Sequence, residues 1–280
     1  MSKTGQRLLT FFIGVPLILA IVFFDFLHHL PANIAITFVS VLAANEFYNL
    51  ASKKTQLFPR ILLIIFSSIL PVLSYLFVLF GIDLNLVLWI FATEIIVLFA
   101  IETIFSQNFE NSLPKIGYSI LLIFYTGYMP TFISRISFIK DYSRHFFILY
   151  LLFVFLCDSA AWLFGILFGK NNRGLFKASP NKSIAGFIGG IAASVALGAL
   201  AKLFFPTVFY GGIWKILVLA FFTAIAGIVG DLVESVFKRS ADIKDSGNII
   251  PGRGGILDSI DSLLIAAPIF YMGCYIFYNV

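Results

Sequence analysis

Charge is scarce in this 280-residue chain: Asp, Glu, Lys and Arg together make up 12% of it, against about a quarter of a typical water-soluble domain. So little charge excludes a protein whose whole surface faces water. Only two cysteines occur, Cys157 and Cys274, within different apolar stretches. They give neither a disulfide framework nor a metal-binding spacing. No repeat of fixed period and no long linker is present. Strand-like alternation of apolar and polar residues is also missing, and with it the case for a β-barrel.

Apolar residues are abundant instead, at 60% of the chain, and the mean hydropathy is +1.00. A helix needs roughly 20 apolar residues to cross about 30 Å of hydrocarbon. Nine stretches qualify, near 8–24, 32–50, 60–80, 84–105, 116–139, 146–168, 184–205, 213–235 and 261–279. Lipid leaves backbone N–H and C=O groups without water, so unbroken apolar runs must be helices. The expected fold is an all-α polytopic membrane protein of about nine spans. Placing the N-terminus in the cytoplasm puts fourteen of the 19 basic residues on that side, beginning with Lys3 and Arg7. Arg135, Lys140, Arg144, Lys202 and Lys215 fall opposite. This asymmetry gives a cytoplasmic N-terminus and a C-terminus on the other side. The short basic loop near 140–145 runs against the rule and leaves a re-entrant or additional segment open there. The net charge of +5 follows from topology and calls for no nucleic acid. Lys3 and Arg7 precede the first apolar stretch without a small-residue cleavage site, which reads as an anchor rather than a removable signal.

Polar novelty is unevenly distributed. Residues 1–145 read as a transmembrane scaffold of five helices, and 146–280 as the working region, with cytoplasmic loops at 169–183 and 236–260. Asp158 lies within the sixth stretch, where a carboxylate is costly unless it faces protein or water. It serves either a functional site or a structural hydrogen bond between helices packed closely at Gly165 and Gly169. The following loop contains Gly169 and Gly174 at the spacing of a phosphate loop, but Leu175 and Phe176 stand where that motif needs Lys and Ser or Thr. Its end, Ser179–Pro180–Asn181–Lys182–Ser183, offers three candidate helix caps and a cation. It reads either as an ordinary cytoplasmic basic loop or as an anion-attracting helix start.

The third polar stretch runs from Asp231 to Asp261. Asp231 and Glu234 are three apart and share one helix face, as do Asp258 and Asp261. Paired carboxylates at two helix ends make a plausible Mg2+ site, because this ion takes hard oxygen ligands and substrate phosphates. Between them Gly247, Gly252, Gly254 and Gly255 allow close backbone approach, while Lys238, Arg239, Lys244 and Arg253 supply charge for phosphates. The alternative is a charged solvated loop followed by a helix start complemented by acids.

The stretch "SVFKRSADIKDSGNIIPGRGGILDSID" resembles the C-terminal signature of the phosphatidate cytidylyltransferases (CDP-diacylglycerol synthases). Ser235, Lys238, Arg239, Lys244, Asp245, Gly247, Pro251, Gly252, Gly254, Gly255, Asp258 and Asp261 carry the match, and "SPNKSIAGFIGG" and the "DSAAW" of Asp158 are similar to two further family segments. The resemblance covers most of 157–261. It implies transfer of CMP from CTP to phosphatidic acid at the cytoplasmic face, with pyrophosphate released, in phospholipid biosynthesis. It also implies Mg2+, with a second cation open, held by Asp231 and Asp258, with Glu234 and Asp261 as supporting or alternate ligands. Lys244 and Asp245 join the catalytic set. Lys170, the Ser179–Ser183 segment, Lys238, Arg239, Gly252, Arg253, Gly254 and Gly255 are expected to clamp phosphates, with Asp158 orienting loop or metal.

Three positions depart from the family pattern: Arg253 stands for a histidine, Ser259 for an arginine and Ala185 for a glutamate. An arginine cannot shuttle protons near neutrality, though it binds phosphate well. The latter two departures read as a pair lost together, so Ala185→Glu should harm activity more alone than with Ser259→Arg. Expected partners are CTP, phosphatidate and the bilayer, with a homodimer through apolar helix faces open, in a bacterial inner membrane. The rivals are a transporter using Glu46, Glu94, Glu102 and Asp158 for ions, and a relative acting on another lipid phosphate.

Overall fold

The computed structural model describes residues 3–139 and 141–279, with side chains from residue 12 onward. Lys140 and the side chains of Lys3 and Arg7 lie outside that description. Among the described residues every regular element is helical. They are α1 (Lys3–Phe23), α2 (Phe26–Ala51), α3 (Arg60–Leu79), α4 (Asn85–Phe105), α5 (Ser112–Ile123), a π turn (Phe124–Tyr128), α6 (Met129–Ile136), α7 (Ser143–Phe168), α8 (Ile184–Phe204), α9 (Trp214–Ser240) and α10 (Leu257–Tyr278). Taken as one continuous run, α5 through α6 forms the span Ser112–Ile136, and among the described residues eight helices are long and apolar enough to cross a membrane. The described apolar part of α1, Phe12–Phe23, is shorter. The nine-helix expectation therefore holds.

Three boundaries differ from the periodic reading, each for a local reason. α2 starts earlier than residue 32 because a left-handed turn at Leu27, His28 and His29 is held in place. The Tyr75 hydroxyl donates to the Leu27 carbonyl at 2.7 Å, and the Asn33 amide donates to the His29 carbonyl at 3.1 Å. The fifth span is interrupted by the π turn, where Gly127 lies so close to the backbone of Ser67 that a Cβ would collide with it. Such a widened turn lets a helix absorb an extra residue without breaking. Finally, α9 continues to Ser240 and α10 begins at Leu257, so Lys238 and Arg239 are helical residues rather than loop residues.

The chain forms two compact units: Met1–Phe138 with Ser240–Ser259, and Ile139–Arg239 with Ile260–Val280. The signature loop after α9 thus belongs with the N-terminal helices, a partition that polarity along the sequence does not reveal. In the first unit α2 packs on α3 around Ala43, Ala44, Phe47, Leu63 and Leu70, all essentially buried. In the second, Gly186 and Gly190 let α8 sit against the Ala161 and Cys157 carbonyls of α7. Small residues permit such close approach where lipid offers no hydrophobic drive between helices.

Candidate functional site

In the second unit the acids of three helices gather. Gly230 of α9 lies directly on the backbone of Asp261 in α10, where any Cβ would collide. That contact sets the next residue, Asp231, beside α10. The negative charges of Asp231, Glu234 and Asp158 all act on the buried Asp261 carboxyl. Asp261 is 6% exposed and Glu234 is fully buried. Four carboxylates at one place repel one another unless cations intervene. Two lysines do so: Lys182 pairs with Asp231, and Lys238 pairs with Glu234 one helical turn away. Arg239 Nε donates to the Ala178 carbonyl at 3.3 Å, tying the 170–183 loop to α9. Lys182, Asp231, Glu234, Lys238 and Asp261 therefore share one neighbourhood of the second unit, with Asp158 in electrostatic reach of Asp261 and Arg239 at the adjoining loop.

The helix start after that loop behaves differently from its expectation. Ser183 is the N-cap of α8, accepting from Gly186 N–H at 3.1 Å. Asn172, which sequence reasoning overlooked, takes the Ala185 N–H on its side-chain oxygen and the Ile184 N–H on its carbonyl. The first donors of α8 are thus satisfied within the chain, so attraction of an anion here would rest on Lys182, Lys170 and Arg239 rather than on open N–H groups. Lys170, Pro180 and Asn181 are exposed, and Ser179 is half-buried. Ala185 is half-buried at this same cap.

In the first unit the loop 241–256 is organised around carboxylates of another kind. Asp258 Oδ2 accepts from Ser246 N–H (2.8 Å), the Ser246 hydroxyl (2.9 Å) and Gly255 N–H (2.7 Å). Any metal bond from Asp258 would therefore have to come from Oδ1. Gly254 adopts φ +113°, a conformation closed to other residues, and lies against the Asp258 carboxylate. Lys244, Asp245 and Arg253 are exposed on this loop, and Gly252 is half-buried. Ser259, which departs from the family pattern, donates its hydroxyl to the Gly255 carbonyl at 3.3 Å.

Among the acids that a transporter would need, Glu102 is paired with Lys115 (2.6 Å) and Ser112, and Glu46 is bound into the signature loop. Only Glu94, of those in the first unit, has both carboxylate oxygens buried without a hydrogen bond. One isolated acid makes no ion path.

The donor chemistry of the second unit, carboxylate oxygens alone, is of the kind a hard divalent cation takes. Its ligating atoms are carboxylate oxygens with an excess of negative charge, and no group of three or more His, Cys, Asp or Glu forms a ready-made cage among the described residues. Mg2+ is usually held in this way, by one or two carboxylates with water and substrate phosphates.

Comparison with known proteins bears on the same residues. The sequence profile of the cytidylyltransferase family matches residues 5–277. A phosphatidate cytidylyltransferase of Bacillus subtilis (strain 168) is 30% identical over 278 residues, covering 97% of each chain. Phosphatidate cytidylyltransferases of Staphylococcus haemolyticus (strain JCSC1435) and Staphylococcus aureus (strain COL) are each 44% identical over 126 residues. These two alignments span about half of each protein, 45% of this chain and 47% of the relative. With the profile matching residues 5–277 and a relative aligned over 97% of both chains, the chain belongs to the cytidylyltransferase family.

Proposed function

We propose that the protein transfers the CMP moiety of CTP to phosphatidic acid, giving CDP-diacylglycerol and pyrophosphate. The observation that carries this reading is the 97% coverage shared with a relative named for phosphatidate cytidylyltransfer. A phosphate oxygen of the lipid attacks the α-phosphorus of CTP, and the bond to the bridging oxygen of the β-phosphate breaks. The nucleophile is already an anion, so the obstacle is repulsion between two polyanions rather than removal of a proton. Catalysis then consists of positioning and charge neutralisation.

The residues fit this division of labour. Asp231, with Glu234 and Asp261 as supporting or alternate ligands, would hold Mg2+, which when bound neutralises triphosphate charge and stabilises the leaving pyrophosphate. Asp258, the second ligand expected from the sequence, has its Oδ2 taken by three donors. Lys182 and Lys238, now paired with acids, stand where they can turn to phosphate oxygens. Arg239 and Lys170 extend the same positive rim. Lys244 and Arg253, exposed on the signature loop, present further cations to phosphates. Arg253 replaces a family histidine, and a phosphate clamp is the role its fixed charge permits. The N-terminus is assigned to the cytoplasm by the basic-residue asymmetry, which puts both polar loops on the side where CTP is found. The protein is read as a multi-pass protein of the bacterial cell membrane.

The test uses purified full-length protein in lipid nanodiscs containing phosphatidate, with radiolabelled CTP. Labelled CDP-diacylglycerol that disappears with a chelator and returns with added Mg2+ is the expected result. Product formation unaffected by chelator would remove the metal; no product, with CTP and phosphatidate both present, would remove the reaction.

A further inference from the structure

Glu46 lies in α2, in the part of the chain that the sequence pattern treats as scaffold. Its side chain is 3% exposed. Oε1 accepts from Ile256 N–H at 3.0 Å, and Oε2 accepts from Leu257 N–H at 2.9 Å and from the Ser246 hydroxyl at 3.0 Å. Leu257 is the first residue of α10. The opening N–H groups of a helix lack intrahelical partners and are usually met by a side chain just before the helix. Here they are met by a carboxylate 210 and 211 residues away in sequence. A negative charge at a helix start is also favoured by the helix dipole.

The same carboxylate accounts for two signature glycines. A Cβ on Gly247 or on Gly255 would collide with the Glu46 carboxylate. The loop therefore closes around Glu46 at both ends, Ser246–Gly247 on one side and Gly255–Leu257 on the other. Ser246 lies between Glu46 and Asp258, its hydroxyl 3.0 Å from one carboxylate and 2.9 Å from the other, so the two share its single proton. Lys54, just past the end of α2, adds an ion pair with Asp242 at 3.0 Å.

We infer that Glu46 is a positioning residue for cytidylyl transfer: it fixes the signature loop and, through Ser246, the carboxylate of Asp258. The inference rests on the proposed reaction for its kinetic readout, and on the loop itself for a second readout that needs no reaction. Glu46→Gln keeps size and removes one acceptor, so one backbone N–H at the start of α10 faces an amide NH2. Loss of alignment lowers kcat by about 100-fold, and KM for CTP rises with it, because the loop that Glu46 holds carries Lys244 and Arg253.

The experiment takes wild type, Glu46→Gln, Glu46→Ala, Gly247→Ala and the Glu46→Ala/Gly247→Ala double variant, each full-length in nanodiscs. CDP-diacylglycerol formation is measured against CTP and phosphatidate concentration, and trypsin cleavage at Lys244 and Arg253 is timed. Both are exposed loop residues. Expected are the kcat loss, faster cleavage in the Glu46 variants, and a smaller penalty for Gly247→Ala when Glu46 is already alanine. A Glu46→Gln kcat within about twofold of wild type, or unchanged cleavage together with additive effects of the two alanines, overturns the inference. Should wild type make no CDP-diacylglycerol, the reaction reading fails, and cleavage rates with the Glu46/Gly247 coupling in thermal unfolding decide this inference alone.

Discussion

Two sets of acidic side chains, one in each compact unit, use the same chemistry for different ends. In the first unit both oxygens of Glu46 and the Oδ2 of Asp258 are met by donors: backbone N–H groups of 246, 255, 256 and 257 and the hydroxyl of Ser246. Their charge is absorbed in fixing the backbone of a glycine-rich loop. In the second unit the charges of Asp158, Asp231 and Glu234 act on Asp261, and Lys182 and Lys238 pair with Asp231 and Glu234. Their charge remains directed at cations. A carboxylate met by N–H groups organises backbone, whereas carboxylates that repel one another need cations close by, here two lysines.

Substitutions in the two sets should separate these roles. The largest effect is expected at Asp231: Asp231→Ala lowers turnover by about a thousandfold or more if it holds the metal. Its apparent unfolding temperature should change little, because removing one member of a repelling group offsets the loss of the Lys182 pair. Asp258→Ala offers the contrast. It strips three donors of their acceptor, costs about 2 kcal/mol of stability, and speeds tryptic cleavage of the loop at Lys244 and Arg253. If Asp231→Ala loosened the loop as much as Asp258→Ala, the distinction between the two sets would be lost.

Smaller effects sharpen the comparison. Ser183→Ala removes the N-cap of α8 and should cost about 1 kcal/mol, with activity reduced only as far as Lys182 shifts; thermal unfolding and turnover measured together check this. Lys54→Met removes an exposed pair, Lys54 with the 85% exposed Asp242. Solvent screening limits that pair to less than about 0.5 kcal/mol, so turnover should remain near wild type. A large loss at Lys54 would show that the loop depends on its outer charges more than on Glu46.

Much of this was legible before any coordinates. Unbroken apolar runs gave the helices, since lipid permits no other backbone arrangement for them. The clustering of acids, bases and glycines between Asp231 and Asp261 marked the working region. The π turn at Phe124–Tyr128 was not legible, because its cause, the backbone of Ser67 against Gly127, lies in another helix. Asn172 was passed over as an ordinary loop residue, since nothing local tells which cap candidate meets which N–H. The extension of α9 to Ser240 was hidden by its charges, which look like loop composition until Lys238 is seen one turn from Glu234.

By itself, then, the sequence determined the solvent, the helical class and the chemical type of the site, because hydropathy, period and residue type are properties of short stretches. Only tertiary structure decided the partners of each carboxylate. Asp231 was placed among acids by a glycine contact between two helices, and Asp258 among N–H groups by a loop folded onto Glu46. The Glu46 pairing depends on backbone approach across 210 residues of chain, and no local pattern encodes a distance of that kind.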